Sequence, residues 1–148
     1  MPTIILHDEK ETIAFGERLG QLLKVGDLIT MEGDLGAGKT TLTKGIGLGL
    51  GVKRVINSPT FNILKGYHGR IPLYHLDVYR LEGVSQELGF EEYYDGDGVC
   101  VIEWAQFIED ELPKERLEIT LKHIGQEREL TMQAIGERYE ALVKKVLE

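Results

Sequence analysis

The 148-residue sequence contains one cysteine, four prolines and one tryptophan, and aromatic residues make up only 7% of it. With Cys100 alone, no disulfide can form within the chain, so the fold must rest on a packed core. Cys100 lies in the apolar run Val99-Cys100-Val101-Ile102 and reads as a buried strand thiol. No apolar stretch approaches the roughly 20 residues a membrane helix requires. The N-terminus has neither a basic start nor an apolar core, which argues against a secretory signal. Positive charge is also scarce: 17 Lys and Arg against 25 Asp and Glu leave a net charge of −8. The longest basic cluster is Lys53-Arg54, without interleaved aromatic residues, so the chain is not expected to grip a nucleic-acid backbone by itself. Together these absences point to a cytoplasmic protein outside the membrane.

What is present fits one domain over residues 1–148, with 42% hydrophobic and 28% charged residues. Thr3-Ile4-Ile5-Leu6 reads as a short strand. Asp8 followed by Glu11 is a capping box opening a helix with Phe15, Leu19, Leu22 and Leu23 on one face. Gly26 is expected to cap that helix. Residues 27–32 form a strand leading into a glycine loop, and the next helix carries Leu42, Ile46 and Leu50 in register. Its glycines at 45, 47 and 49 each cost about 1 kcal/mol against alanine, which implies backbone packed closely on a neighbour. Residues 60–67 and 71–77 read as strands joined at His68-Gly69-Arg70, and 84–88 as a helical turn. Asp95-Gly96-Asp97-Gly98 is a turn before the buried strand 99–103. A hairpin around Gly125-Gln126 and a helix with Tyr139, Leu142, Val143, Val146 and Leu147 along one stripe close the chain. The sum is an α/β domain with a mainly parallel central sheet and antiparallel additions.

Gly33-Asp34-Leu35-Gly36-Ala37-Gly38-Lys39-Thr40 matches the P-loop pattern, and Thr41 follows it. Glycines let the chain curl so that successive backbone N–H groups converge on phosphate oxygens, and the following helix aims its positive end at them. Lys39 would neutralise the β- and γ-phosphates, and the Thr40 hydroxyl would ligate Mg2+. A chance match is the bland alternative, but the loop falls between a strand and a helix, as phosphate binding demands. No Asn-Lys-x-Asp guanine signature is present, which favours ATP.

Such a site also needs a carboxylate at the end of a buried strand, and Val99-Cys100-Val101-Ile102-Glu103 supplies one. A solvated strand-end glutamate is the competing reading. Trp104 either belongs to the core or lines the site. In His75-Leu76-Asp77-Val78-Tyr79-Arg80-Leu81 the alternation puts His75, Asp77 and Tyr79 on one side. Asp77 could orient an attacking water or hold Mg2+ through water, and Arg80 could pair with a phosphate or with Asp77; a surface ion pair explains the same residues. His7 and His123 lack partners at metal-ligand spacing and read as structural.

Taken together, the glycine loop, Ser58-Pro59-Thr60-Phe61, the segment 75–81 and Ile102-Glu103-Trp104 resemble the TsaE family, also called YjeE, over nearly the whole chain. The resemblance implies a P-loop NTPase-like three-layer fold and a small bacterial ATPase of the tRNA threonylcarbamoyladenosine pathway that uses ATP and Mg2+ and works with TsaB and TsaD. TsaD would transfer the threonylcarbamoyl group, and tRNA would be reached only through these partners. The resemblance further implies that 58–61 and 75–81 are switch segments. It places the magnesium and catalytic positions on Thr40, Asp77 and Glu103, and it sets Glu9, Thr12 and Arg128 at the border of the nucleotide. A small-molecule kinase is an alternative, but no arginine-rich lid follows Glu103, only the acidic Asp110-Glu111-Leu112-Pro113. A nucleotide-gated binding module with negligible hydrolysis is another.

Overall fold

The structure is a computed structural model, and it describes residues 1–34, 36–56, 64–78, 93 and 96–148. Seven strands form one sheet: β1 (Thr3–Leu6), β2 (Leu28–Glu32), β3 (Leu64–Tyr67), β4 (Leu73–Asp77), β5 (Val99–Glu103), β6 (Arg116–Ile124) and β7 (Glu127–Ile135). Their order across the sheet is β1-β7-β6-β2-β5-β4-β3. The pairs β6/β2, β2/β5 and β5/β4 are parallel, whereas β1/β7, β7/β6 and β4/β3 are antiparallel. A parallel centre with antiparallel margins therefore carries the glycine loop at the end of the central strand β2.

The central strands are apolar on both faces because both are covered. On one face, Ile29, Met31, Val101, Ile119 and Leu121 pack against Phe15 and Leu19 of α1 (Glu9–Leu22), Leu42 and Ile46 of α2 (Lys39–Gly49), and Tyr139, Leu142 and Val146 of α3 (Glu137–Val146). On the other, Leu28, Leu76, Val78, Cys100 and Ile102 pack against Ala105, Ile108 and Leu112, in and just after the 3-10 segment Ala105–Glu111. Burial pushes the Cys100 thiol up to about 12, in keeping with a strand thiol inside this second core.

The glycines of α2 do pack against a neighbour, and it is α1. A Cβ on Gly16 would stand 2.6 Å from the Leu42 carbonyl oxygen and 2.9 Å from Gly45 Cα, and Gly20 faces Ile46 and Gly49 in the same way. Gly45 and Gly49 therefore repay their helix propensity by letting two backbones approach. Gly47 instead faces the side chain of Ile56.

Two local expectations are corrected. Helix α1 is capped at Leu23 in an extended conformation, and Gly26, at φ 90°, serves the turn into β2, donating its N–H to the Gly98 carbonyl at 2.9 Å. Asp8 caps α1 by accepting from the Glu11 N–H at 2.9 Å, but the Glu11 carboxylate reaches one residue further back, to the His7 N–H, also at 2.9 Å. The His7 ring draws it there, with Nδ1 2.9 Å from the same oxygen. The hairpin is as expected, with Gly125 at φ 60° between the paired Ile124 and Glu127. Residues 58–61, Tyr79, Arg80 and the turn 84–88 lie outside the described residues.

Candidate nucleotide site

Strand β2 ends at Glu32, and the loop that follows is shaped by its glycines. Gly33 has φ 149°, and a Cβ there would stand 2.5 Å from the Leu121 carbonyl oxygen, so only glycine can turn the chain away from β6 at this point. Gly36 and Gly38 are also in the left-handed region, at φ 81° and 105°. Gly38 is the residue before α2 and offers no side-chain cap. The first N–H groups of α2 therefore need acceptors from elsewhere, which is the condition for an anion to sit at this end.

Lys39 begins α2 and turns inward. Its side chain is 4% exposed, and its Nζ has no hydrogen-bond partner among the described residues. The ammonium lies 3.9 Å from Glu103 Oε1 and 4.2 Å above the centre of the Trp104 ring. Trp104 reaches that position through a left-handed backbone, φ 63°, which ends β5 immediately after Glu103. Such a conformation costs a non-glycine residue about 1–3 kcal/mol and persists only where its surroundings hold it. The other Glu103 oxygen, Oε2, lies 2.6 Å from His75 Nε2. Asp77, at the end of β4, is opposite Glu103 in the parallel register.

Two clefts adjoin across the loop. One, of about 200 Å³, is lined by Gly36, Gly38, Lys39, Thr40, Thr41, Asp77, Glu103 and Trp104. The other, of about 120 Å³, is bounded by Glu9, Thr12, Gln126 and Arg128 together with Asp8 and the same Gly36, Gly38 and Thr41. The structure thus brings Lys39, Thr40, Asp77 and Glu103 together on one side of the loop and Glu9, Thr12 and Arg128 on the other. Arg128 is tied to the loop, with Nη2 3.5 Å from the Gly36 carbonyl oxygen. Leu35 lies outside the described residues; Asp34 is exposed and Ala37 is buried.

These residues suit a magnesium–polyphosphate ligand. Among the described residues Lys39 Nζ has no hydrogen-bond acceptor, the start of α2 has no side-chain cap, and carboxylates and a hydroxyl stand beside them. Among the described residues, no group of three or more His, Cys, Asp or Glu could hold a metal ion alone.

Sequence reasoning did not find three contributors. Asp8 and Gln126 line the second cleft only because the β6–β7 turn folds over the start of α1. Alternation puts His75 on the Asp77 face, but its bond to Glu103 needs the register of β4 and β5. Of the histidines read as structural, His7 pairs with Glu11 and Glu127, at 2.9 and 3.3 Å. His123 has its ring beside Gly36.

The fold and this strand–glycine loop–helix unit define an α/β protein built around a parallel-centred sheet, with a buried lysine where the helix begins. The chain belongs to the TsaE family: the family model described as threonylcarbamoyl adenosine biosynthesis protein TsaE matches residues 6–130. It is 53% identical over 139 residues to the tRNA threonylcarbamoyladenosine biosynthesis protein TsaE of Bacillus subtilis, covering 93% of this chain and 88% of that protein. The protein of the same name from Treponema pallidum is 43% identical over 126 residues, covering 83% of this chain and 93% of the relative. The crystal structure of Bacillus subtilis YdiB superposes with a TM-score of 0.88 at 45% identity, covering 99% of this chain and 93% of that one.

Proposed function

We propose that this protein binds ATP with Mg2+ in the cleft beside the glycine loop, hydrolyses it, and thereby serves tRNA threonylcarbamoylation together with TsaB and TsaD in the cytoplasm. The observation that carries the reading is the Lys39 ammonium, buried with no hydrogen-bond acceptor among the described residues, in a cleft that Thr40, Asp77 and Glu103 also line. Family membership supports the role in tRNA threonylcarbamoyladenosine biosynthesis.

In this reading the loop N–H groups and Lys39 hold the phosphates, and Lys39 offsets the charge that grows on them as the terminal bond breaks. Thr40, Asp77 and Glu103 would hold Mg2+, which supplies charge neutralisation across the phosphates. The carboxylates of Asp77 and Glu103, side by side on β4 and β5, orient the attacking water. Glu9, Thr12 and Arg128 border the nucleoside.

The test is a pair of near-isosteric substitutions. Glu103→Gln and Asp77→Asn are expected to lower phosphate release at least 10-fold while changing nucleotide affinity far less, because each keeps volume and removes a charge. Unchanged turnover in both variants would contradict the proposal. Phosphate release without any acceptor molecule separates this reading from a kinase, and measurable turnover separates it from a binding module.

A further inference from the structure

The two oxygens of the Glu103 carboxylate have different surroundings. Oε1 faces the Lys39 ammonium at 3.9 Å, beside the cleft. Oε2 points the other way, to His75 Nε2 at 2.6 Å. His75 lies on β4, two residues before Asp77 and opposite Val101, and it is completely buried. Its Nδ1 has no partner among the described residues.

A carboxylate oxygen accepts, so Nε2 carries a proton and donates it to Glu103 Oε2, while Nδ1 is buried without a partner among the described residues. An imidazole with an unpartnered nitrogen is a poor choice for packing alone. Leu73 and Leu76 of the same strand, and Val78 just after it, are all buried, and leucine at position 75 would fill the site without desolvating a polar atom. What histidine provides here, and leucine would not, is a fixed donor at one Glu103 oxygen.

We propose that His75 is a positioning residue: its Nε2–H holds Glu103 Oε2, so that Oε1 is presented to Lys39 and the cleft. This inference rests on the reading of the cleft as a magnesium–ATP site. A carboxylate that meets a metal, directly or through water, works only when its orientation is fixed. Removing such a supporting hydrogen bond typically costs 10–100-fold in metal affinity or activity.

The pairing can be tested without nucleotide. In the full 15N-labelled chain, the His75 ring N–H is expected to give a resolved downfield signal that moves when Glu103→Gln replaces the carboxylate. Two substitutions then separate position from packing. His75→Leu is expected to raise the half-saturating Mg2+ for ATP turnover by about 10–100-fold and to lower kcat, with KM for ATP little changed. His75→Gln, whose side-chain amide can donate from nearly the same place, is expected to recover part of that loss. In a Glu103→Gln background, His75→Leu should cost nothing further.

An unchanged ring signal in Glu103→Gln, or a His75→Leu chain altered only in its melting temperature, would overturn the inference. Should His75→Leu fail to fold, the ring signal and His75→Gln decide. A wild-type chain that releases no phosphate overturns the reading of the cleft instead, and the ring signal still shows whether His75 holds Glu103.

Discussion

Keeping a lysine 4% exposed with no hydrogen-bond acceptor among the described residues is costly, because an ammonium taken from water loses several kcal/mol unless it is paired. The Trp104 ring at 4.2 Å offsets part of this, since a desolvated cation–π contact contributes about 2 kcal/mol, and Glu103 at 3.9 Å adds attraction without a hydrogen bond. In the proposed reading the ammonium is placed for a phosphate ligand at the expense of stability. Lys39→Ala should leave the melting temperature equal or higher while nucleotide binding weakens. Trp104 is the only tryptophan, so its fluorescence reads the same event. Nucleotide should change the emission of the wild-type chain by drawing the ammonium off the ring, and it should leave the emission of Lys39→Ala unchanged. A Lys39→Ala chain destabilised by several kcal/mol would make Lys39 a structural residue. Lys39, Thr40 and Glu103 were legible because each sits at a fixed spacing from glycines or at the end of an apolar run. The bond between His75 and Glu103 was not, since the two are 28 residues apart and meet only through strand pairing.

Between elements, α1 and α2 approach backbone to backbone at Gly16, Gly20, Gly45 and Gly49. Gly45→Ala gains up to about 1 kcal/mol of helix propensity, but its Cβ would meet the Ile13 carbonyl and stand 3.0 Å from Gly16 Cα, backbone that cannot yield cheaply. Overpacking of this kind costs about 1–3 kcal/mol, so a net destabilisation of about 1–2 kcal/mol is expected in urea unfolding. Equal or greater stability would show that the helices can part without cost. Hydrophobic periodicity made both helices legible and glycine content showed that α2 packs closely, but the partner required the third dimension. At the start of α1, the hydrogen bond from the ring to Glu11 raises the His7 pKa above 6.5, and donation from His7, backbone first and then ring, lowers that of Glu11 below 4.5. The His7 contribution is complete below about pH 6.5 and is lost as pH rises through its raised value. The Glu11 contribution is complete above about pH 4.5 and is lost as pH falls through its lowered value. The stability gap between wild type and His7→Gln should therefore be widest between about pH 4.5 and 6.5. It should be small and should shrink in salt, because both side chains are largely exposed. A gap that does not vary with pH would place the cap's strength in Asp8 alone.

Over the whole molecule, net charge constrains how the proposed ATPase could serve tRNA threonylcarbamoyladenosine biosynthesis. A chain of net charge −8 repels a phosphate backbone at long range, so its proposed route to tRNA runs through TsaB and TsaD. Among the described residues, no helix is long and apolar enough to cross a membrane. The domain class was legible because its markers are local: a glycine loop between a strand and a helix, an apolar strand ending in glutamate, and a two-residue hairpin. Strand order was not, because β6 returns to pair with β2 after all of β3–β5, and no local pattern encodes that return. The expectations for 58–61 and for residues 79–81 lie outside the described residues, so the switch reading rests on chemistry: a γ-phosphate shifts an equilibrium only through differential affinity for two states. The most direct measurement of the central claim is phosphate release from Mg2+–ATP by the purified chain, alone and with purified TsaB and TsaD, for wild type beside Lys39→Ala. The account predicts Mg2+-dependent release by wild type, changed by the partners, and at least a 100-fold loss in Lys39→Ala, since one transition-state charge contact contributes about 3 kcal/mol or more. Equal release by the two chains, or none by wild type with its partners present, would contradict it.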